Sequence, residues 1–122
     1  MKVREDEKGT FYFQNLEVYK LAARFLPMAT EVADGLSSRY VALSDQLRRA
    51  ALSIPLNLAE GTGKRSRPDQ RRFFSIARGS AMESAAIIDA CRRLKLIQEE
   101  SAQELNNLLL SIVRMLSKMC LP

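Results

Sequence analysis

The stretch that decides the fold is QLRRAALSIPLNLAEGTGKRSRPDQRR, residues 46–72. Its first half has apolar or small residues at steps of three and four, the spacing of one helix face: Leu47, Ala50, Ile54, Leu58 and Gly61, with Leu43 upstream. Pro55 should bend this helix, and Gly61 and Gly63 should end it in a turn. A further helix should then begin, because Ser66 can cap it and Pro68 is tolerated in a first turn.

The same spacing predicts four helices in all. We expect them at about 15–34, 44–61, 66–94 and 101–119, with Asn15 and Ser44 as N-caps of the first two and Gly35 as a C-cap. The predicted buried face of the first helix is Leu16, Tyr19, Ala23, Leu26, Thr30 and Ala33. Short connections favour antiparallel neighbours, so the sequence predicts an all-α, up-down-up-down four-helix bundle.

Composition limits the possible functions. A chain of 122 residues fits one domain, which we place at 11–122 after a flexible charged tail at 1–10. The chain has no His, and Cys91 and Cys120 lie in apolar patterns that indicate buried free thiols, so neither a metal site nor a cofactor is expected. The N-terminus lacks an apolar signal segment and no apolar run is long enough to cross a membrane. We therefore expect a cytoplasmic protein without membrane association.

A polar stripe runs beside the apolar face of the second helix. It consists of Gln46, Arg49, Ser53, Asn57, Glu60 and Lys64. The stripe is either solvated or placed at an interface in the bundle or with another subunit, where Arg49 would pair with Glu83 and Asn57 would set the register. Glu60 and Glu83 could act as a catalytic acid and base only if they faced a substrate-binding cleft. This helical pattern does not predict such a cleft. We therefore expect no catalytic residues and no enzyme activity.

The third helix has two further features. Its apolar sector is wider than one neighbouring helix requires, which predicts an oligomer. The segment ARGSAMESAA, residues 77–86, is rich in small residues, and Gly79 in mid-helix predicts a close contact with another backbone.

Five cations concentrate in the turn between the second and third helices: Lys64, Arg65, Arg67, Arg71 and Arg72. In an up-down bundle the same end would receive Lys2, Arg4, Lys8, Arg114 and Lys118. At the other end, Glu31, Asp34, Glu99, Glu100 and Glu104 offset Arg39, Arg92, Arg93 and Lys95. The net charge is +5, and 13 Arg against 6 Lys suits bidentate phosphate contacts. The basic end either binds phosphates or is only solvated.

Three segments carry a resemblance to a known family: NLEVYKLAARFL at 15–26, YVALSDQLRRAALSIPLNLAEGTGKRS at 40–66, and RRFFSIARGSAMESAAIIDACRRLKLI at 71–97. They resemble the four-helix-bundle proteins encoded by intervening sequences of bacterial 23S rRNA genes. The likeness covers 11–97, whereas the fourth helix matches only as an amphipathic helix. SSRYVALS, at 37–44, departs from the proline and glutamate that many relatives carry before the tyrosine.

The resemblance implies an antiparallel bundle assembled into a ring-like homopentamer, with no known catalytic residues. Related accessory variability proteins of diversity-generating retroelements are basic and bind both nucleic acid and a reverse transcriptase. Our leading expectation is a non-enzymatic, self-assembling scaffold that binds nucleic acid, in particular structured RNA, through phosphate contacts. The alternative is an adaptor for a reverse transcriptase or another nucleic-acid enzyme, without direct nucleic-acid binding.

Overall fold

The computed structural model of the protein describes residues 9–122, and this part of the chain contains four helices and no strand. The helices are α1 Glu17–Gly35, α2 Val41–Thr62, α3 Arg67–Arg93 and α4 Glu99–Met119. Short 3-10 turns at Tyr12–Asn15 and Ser38–Tyr40 precede α1 and α2. Most of the predicted tail, residues 1–8, lies outside the described residues.

The helices pack around one apolar core. α1 contacts α2 and α4, and α3 also contacts α2 and α4. The core residues that are fully buried and largest are Phe25, Leu47, Ile54, Leu58, Leu105, Leu109, Ile112 and Leu116. Burying an aliphatic or aromatic side chain of this size contributes about 1.5–3 kcal/mol, so this core is the main source of stability. Both Pro27 and Pro55 lie within continuous helices.

The structure confirms the predicted connection between α2 and α3. α2 ends at Thr62, and Ser66 caps α3 by accepting a hydrogen bond from the backbone N–H of Asp69, with an O···N distance of 3.2 Å. Gly61 is buried against Phe74, and a Cβ atom there would lie 2.6 Å from Cε1 of that ring. Glycine at this position therefore allows the end of α2 to approach the start of α3 closely.

The first two helices begin differently from the prediction. Asn15 ends a 3-10 turn and does not cap α1, whose N-cap is Leu16. Ser44 lies inside α2, where its buried hydroxyl donates to the carbonyl oxygen of Ala33 over 3.1 Å. The expected cap at Ser44 is wrong because this long-range partner binds its hydroxyl. Gly35 is the last residue of α1, and its C-cap is Leu36.

The buried face of α1 is rotated by about one residue from the predicted one. The buried residues are Val18, Ala22, Phe25, Ala29 and Ala33. Ala23 is exposed, while Leu16, Tyr19 and Leu26 pack at the edge of the core. Phe25 decides the rotation, since burying this large ring turns its own face of α1 inward.

Two predictions about small side chains are only partly right. Gly79 is exposed and a Cβ atom there would meet nothing within 4 Å in this chain, so the predicted close contact is not made within the bundle. Cys91 is a buried free thiol whose pKa is raised by burial, as expected for an unreactive cysteine. Cys120 is only partly buried, since it follows the last residue of α4.

Candidate nucleic-acid interface

The turn between α2 and α3 is held by hydrogen bonds from both helices. The backbone N–H of Gly63 donates to the carbonyl oxygens of Ala59 and Glu60, each over 3.2 Å. The side-chain amide of Gln70 reaches back from α3 and donates to the carbonyl oxygen of Lys64 over 3.0 Å. Together with the Ser66 cap, these bonds make a rigid support for the basic side chains, which reduces the ordering entropy on binding.

Two of the five predicted cations lie over one aromatic ring. Nζ of Lys64 is 5.0 Å and Cζ of Arg72 is 4.6 Å from the centroid of Phe73, which are cation–π distances. Lys64 also pairs with Glu60, with Nζ and Oε2 separated by 3.8 Å. Phe73 therefore gathers positive charge at this end of the molecule.

The four arginines of this group have no acidic partner among residues 9–122. Arg65, Arg67 and Arg72 are exposed and Arg71 is partly buried. None of the four forms an ion pair with a residue in the described part of the chain. Their guanidinium groups are thus available for an external anion, for which their planar donors suit phosphate.

The starts of α1 and α3 and the ends of α2 and α4 meet beside this turn. Tyr12, Thr62, Arg67 and Met119 line one cavity of about 390 Å3. We call this part of the molecule the basic end, defined by Lys64, Arg65, Arg67, Arg71 and Arg72. Arg114 and Lys118 are exposed on the last turns of α4, whereas the predicted contributors Lys2, Arg4 and Lys8 lie outside the described residues.

The other ends of the helices are built differently. Glu31 and Gly35 of α1 line a second groove with Leu96 and Glu104, which brings the α3–α4 connection next to the end of α1. We call this part the paired end, defined by three carboxylates and three arginines that form ion pairs with each other: Asp34, Arg48, Asp89, Arg92, Arg93 and Glu99.

The donor–acceptor distances at the paired end are short. Arg48 donates to Asp34 over 2.6 Å, and Arg92 and Arg93 each donate to Asp89 over 2.8 Å. Arg92 also reaches Glu99 of α4 over 3.4 Å. Hydrogen bonds from Arg93 and Arg92 hold the pKa of Asp89 below its usual value. Positive charge at this end is therefore largely neutralised.

The predicted polar stripe is partly a cross-helix contact and partly solvated. Asn57 donates to the carbonyl and hydroxyl oxygens of Ser53, and the Ser80 hydroxyl of α3 donates to that of Ser53 over 2.7 Å. Arg49 and Glu83 line the same groove between α2 and α3, but among the described residues they form no ion pair. Both side chains are exposed in the single chain, so the solvated stripe and a contact with another subunit both stay predictions.

A metal site, a catalytic carboxylate pair and a membrane-spanning helix each require a particular arrangement of residues. Within residues 9–122 no group of three or more Cys, Asp or Glu side chains could hold a metal ion. Glu83 lines the groove between α2 and α3, whereas Glu60 is 58% exposed and does not line it. No described helix is long and apolar enough to cross a membrane.

A further feature is a set of exposed apolar residues. The sequence indicated it only through the width of the apolar sector predicted for α3. Leu52 and Leu56 of α2 and Ile76 and Met82 of α3 are all exposed. A contiguous exposed apolar patch is typical of protein–protein contacts, whereas single exposed apolar residues are common on any protein surface. Aromatic residues at the basic end were also missed, although the FYF triplet at 11–13 was a visible signal.

Fold and charge distribution together define a class, namely small all-helical proteins with one cationic end. The sequence profile of the 23S rRNA-intervening sequence protein family matches residues 14–118, so the chain belongs to this family. It is similar in fold to the 1.70 Å crystal structure of a protein of unknown function from the S23 ribosomal protein family of Bacteroides thetaiotaomicron VPI-5482. The TM-score is 0.81 at 22% identity, covering 86% of this chain and 99% of that one. A search of curated proteins gave no match.

Proposed function

We propose that the protein is a non-enzymatic helical scaffold that binds structured RNA through phosphate contacts at its basic end. The observation that carries this proposal is that Arg65, Arg67 and Arg72 are exposed and lack acidic partners in the described chain. By contrast, Arg48, Arg92 and Arg93 at the paired end each donate a hydrogen bond to a carboxylate. Unpaired arginines on a rigid turn repel one another, and a phosphate backbone relieves that repulsion.

The shape of the basic end favours binding to the phosphate backbone of RNA over contacts with base edges in a groove. The turn between α2 and α3 is short and blunt, and no described element at the basic end projects from the bundle as a recognition helix would. Double-stranded RNA is recognised mainly through phosphates and 2′-hydroxyls, which such a surface suits. We therefore expect little sequence specificity and a strong dependence on salt.

We further propose that the helices run up-down-up-down and that the chain assembles in the cytoplasm into a ring-like homopentamer. Each pair of consecutive helices makes a contact near the connection between them, which supports this topology. These contacts are Ser44 with Ala33, Gly61 with Phe74, and Arg92 with Glu99. The exposed apolar residues of α2 and α3 support self-assembly, and the family resemblance suggests five copies. Open space beside Gly79 would then admit the backbone of a neighbouring copy.

The binding test compares two triple charge reversals that change the net charge equally. The first carries Arg65→Glu, Arg67→Glu and Arg72→Glu. The control carries Arg24→Glu, Arg39→Glu and Lys95→Glu, which are also exposed but lie away from the basic end. Affinity for an RNA hairpin is measured by fluorescence anisotropy at several salt concentrations.

We expect the first variant to lose binding and the control to retain most of it. For the wild-type protein, log affinity should fall with log salt with a slope of about −0.9 per phosphate contact. Unchanged binding in the first variant, or an equal loss in both, would contradict the proposed interface. No RNA binding by the wild-type protein would favour the adaptor for a reverse transcriptase or another nucleic-acid enzyme.

The assembly test uses exposed residues so that folding is not disturbed. Leu56→Glu and Ile76→Glu should reduce the mass measured by light scattering to that of a monomer, because they place charge in the proposed interface. Leu110→Glu is the matched control, since Leu110 is equally an exposed residue but lies on α4. A monomeric wild-type protein at micromolar concentration would contradict self-assembly.

Substitutions in the polar stripe test whether Glu60 and Asn57 fix the alignment of the helices at this interface. Glu60 and Arg49 are exposed in the single chain, so they are buried only if another copy covers them. Removing one member of a buried charged pair typically costs about 3–5 kcal/mol, against about 0.2–0.5 kcal/mol for an exposed helical pair. Glu60→Ala and Asn57→Ala are compared by thermal unfolding and mass. If both keep wild-type stability and assembly, the stripe is only solvated.

A further inference from the structure

A groove lies between α1 and α4, next to the paired end. The last turns of α1, the first turns of α4 and the connection between α3 and α4 supply its walls, and its volume is about 360 Å3. We call it the acidic groove, defined by Met28, Glu31, Val32, Leu96, Ile97 and Glu104. Its two long sides are therefore helices.

Apolar side chains form the floor of the acidic groove. Met28, Val32, Leu96 and Ile97 are partly buried and pack against the core. With Leu105, they give the groove five apolar lining residues. By comparison, a single alanine is the apolar residue in the described lining of the groove between α2 and α3. A contiguous apolar surface in a concave site is typical of a binding surface.

Both helices that form this groove also supply a carboxylate. Glu31 belongs to α1 and Glu104 to α4, and both are exposed. Neither forms an ion pair with another described residue, and the described lining contains no Lys or Arg. In contrast, Asp34, Asp89 and Glu99 at the paired end are each bonded to an arginine. The groove therefore combines an apolar floor with negative charge that suits a cationic partner.

The dimensions of the groove fit one face of a helix. On α1 the lining residues run from Met28 to Gly35, which is about 10 Å at a rise of 1.5 Å per residue. This length separates positions i and i+7 of a helix. A whole helix, about 10 Å across, would need more than the available volume over this length. The groove therefore admits the apolar side chains of a helix that packs along α1 and α4.

We propose that the acidic groove binds a cationic amphipathic helix of a partner protein. Apolar side chains at positions i, i+4 and i+7 of that helix contact the floor, and Lys or Arg side chains beside them pair with Glu31 and Glu104. Apolar contact supplies most of the affinity, whereas the two carboxylates select against acidic helices. The groove is separate from the basic end, so this inference does not depend on RNA binding.

The probe is a fluorescent helical peptide of about 15 residues, with Leu at i, i+4 and i+7, Lys beside that face and Ala elsewhere. Its affinity for the full chain is measured by fluorescence anisotropy. One control peptide carries Glu in place of each Lys, and a second carries Ala in place of each Leu. Both controls should bind at least about tenfold more weakly, because each lacks one half of the complementary surface.

Charge removal in the protein tests the two carboxylates. Glu31→Gln combined with Glu104→Gln should weaken binding of the Lys peptide about five- to tenfold at low salt, since two exposed ion pairs are lost. In about 1 M salt the two proteins should differ little. Asp45→Asn combined with Glu83→Gln is the matched control. Both of these carboxylates are exposed and form no ion pair in residues 9–122, but neither lines the groove. This control should retain wild-type affinity.

A blocking substitution tests the location. Ser101 is exposed and lines the groove, so Ser101→Trp should fill it without opening a cavity in the core. We expect at least about a tenfold loss of peptide affinity, because the indole ring takes the place of the apolar side chains. Asn107→Trp is the matched control, since Asn107 is also exposed on α4 but does not line the groove. Circular dichroism and light scattering check the helical content and mass of each variant.

Several outcomes would contradict the proposal. These are no binding of the Lys peptide to the wild-type protein, equal binding of the Lys and Glu peptides, and unchanged binding in Ser101→Trp. A lower mass of Ser101→Trp alone would show that a second copy of the chain occupies the groove instead. Lys2→Gln, Arg4→Gln and Lys8→Gln together should leave peptide affinity unchanged, and tighter binding would identify residues 1–8 as the occupant.

Discussion

The two ends of the molecule use arginine in opposite ways. At the paired end, Arg48, Arg92 and Arg93 each donate a hydrogen bond to a carboxylate within 2.8 Å. At the basic end, the exposed arginines form no ion pair with a residue in the described part of the chain, and Gly61 packing against Phe74 joins the two helices instead. The difference indicates that stability at the basic end comes from apolar packing, which leaves its charges available for a ligand.

The largest effect should follow from disturbing the packing at the basic end. In Gly61→Ala the added Cβ would lie 2.6 Å from Cε1 of Phe74 and 3.2 Å from Cβ of Phe73. Phe74 is buried, so its ring has little room to move, and overpacking of this kind typically costs about 1–3 kcal/mol. A helix-propensity gain of about 1 kcal/mol offsets only part of this cost. Urea unfolding measures the loss.

Gly79→Ala is the matched control for that substitution. Gly79 also lies in a helix, but its added Cβ meets nothing within 4 Å, so stability should rise by about 0.5–1 kcal/mol. Equal effects of the two substitutions would contradict the packing account. A loss of stability in Gly79→Ala would instead show that another copy of the chain packs there.

The second prediction concerns a charge at the start of α3. Arg67 is the first residue of this helix, where the helix dipole favours a negative side chain. Arg67→Glu should therefore raise stability by about 0.3–1 kcal/mol while it weakens RNA binding. Thermal unfolding and anisotropy on the same sample measure the two effects. A variant that loses both stability and binding would show that Arg67 has a structural role.

The third prediction is the counterpart at the paired end. Arg92 bonds to Asp89 on α3 and to Glu99 on α4, so Arg92→Ala removes one link between these helices. All three side chains are substantially exposed, and exposed pairs contribute about 0.2–1 kcal/mol each. We expect a loss of that size at low salt, a smaller loss at high salt, and unchanged RNA binding. Reduced RNA binding would mean that the two ends are not independent.

Sequence reasoning succeeded where neighbours along the chain decide the structure. The start of α3 follows from Ser66 bonding to the backbone three residues on, and the predicted place of Gly61 on the buried face near the end of α2 is correct. The concentration of cations between α2 and α3 is visible in the sequence itself. The number of helices was correct because each has a long apolar face.

The failures have a common physical cause, which is that the deciding partner lies far away in sequence. Ser44 bonds to Ala33 on another helix, and nothing near Ser44 distinguishes this role from an N-cap. Tyr12 was overlooked because its cavity forms only when the start of α1 meets the ends of α2 and α4.

The smallest effect should be the pH dependence of the paired end. Because hydrogen bonds from Arg93 and Arg92 lower the pKa of Asp89 in the folded protein, ionised Asp89 contributes stability at neutral pH. That contribution is complete above the unfolded-state pKa of about 3.9 and is lost as pH falls through the lower folded-state value. Asp89→Asn should therefore be slightly less stable than the wild-type protein at neutral pH, and the difference should shrink on acidification. Urea unfolding across this range measures it, and a difference that stays constant would show that the ionisation of Asp89 contributes nothing.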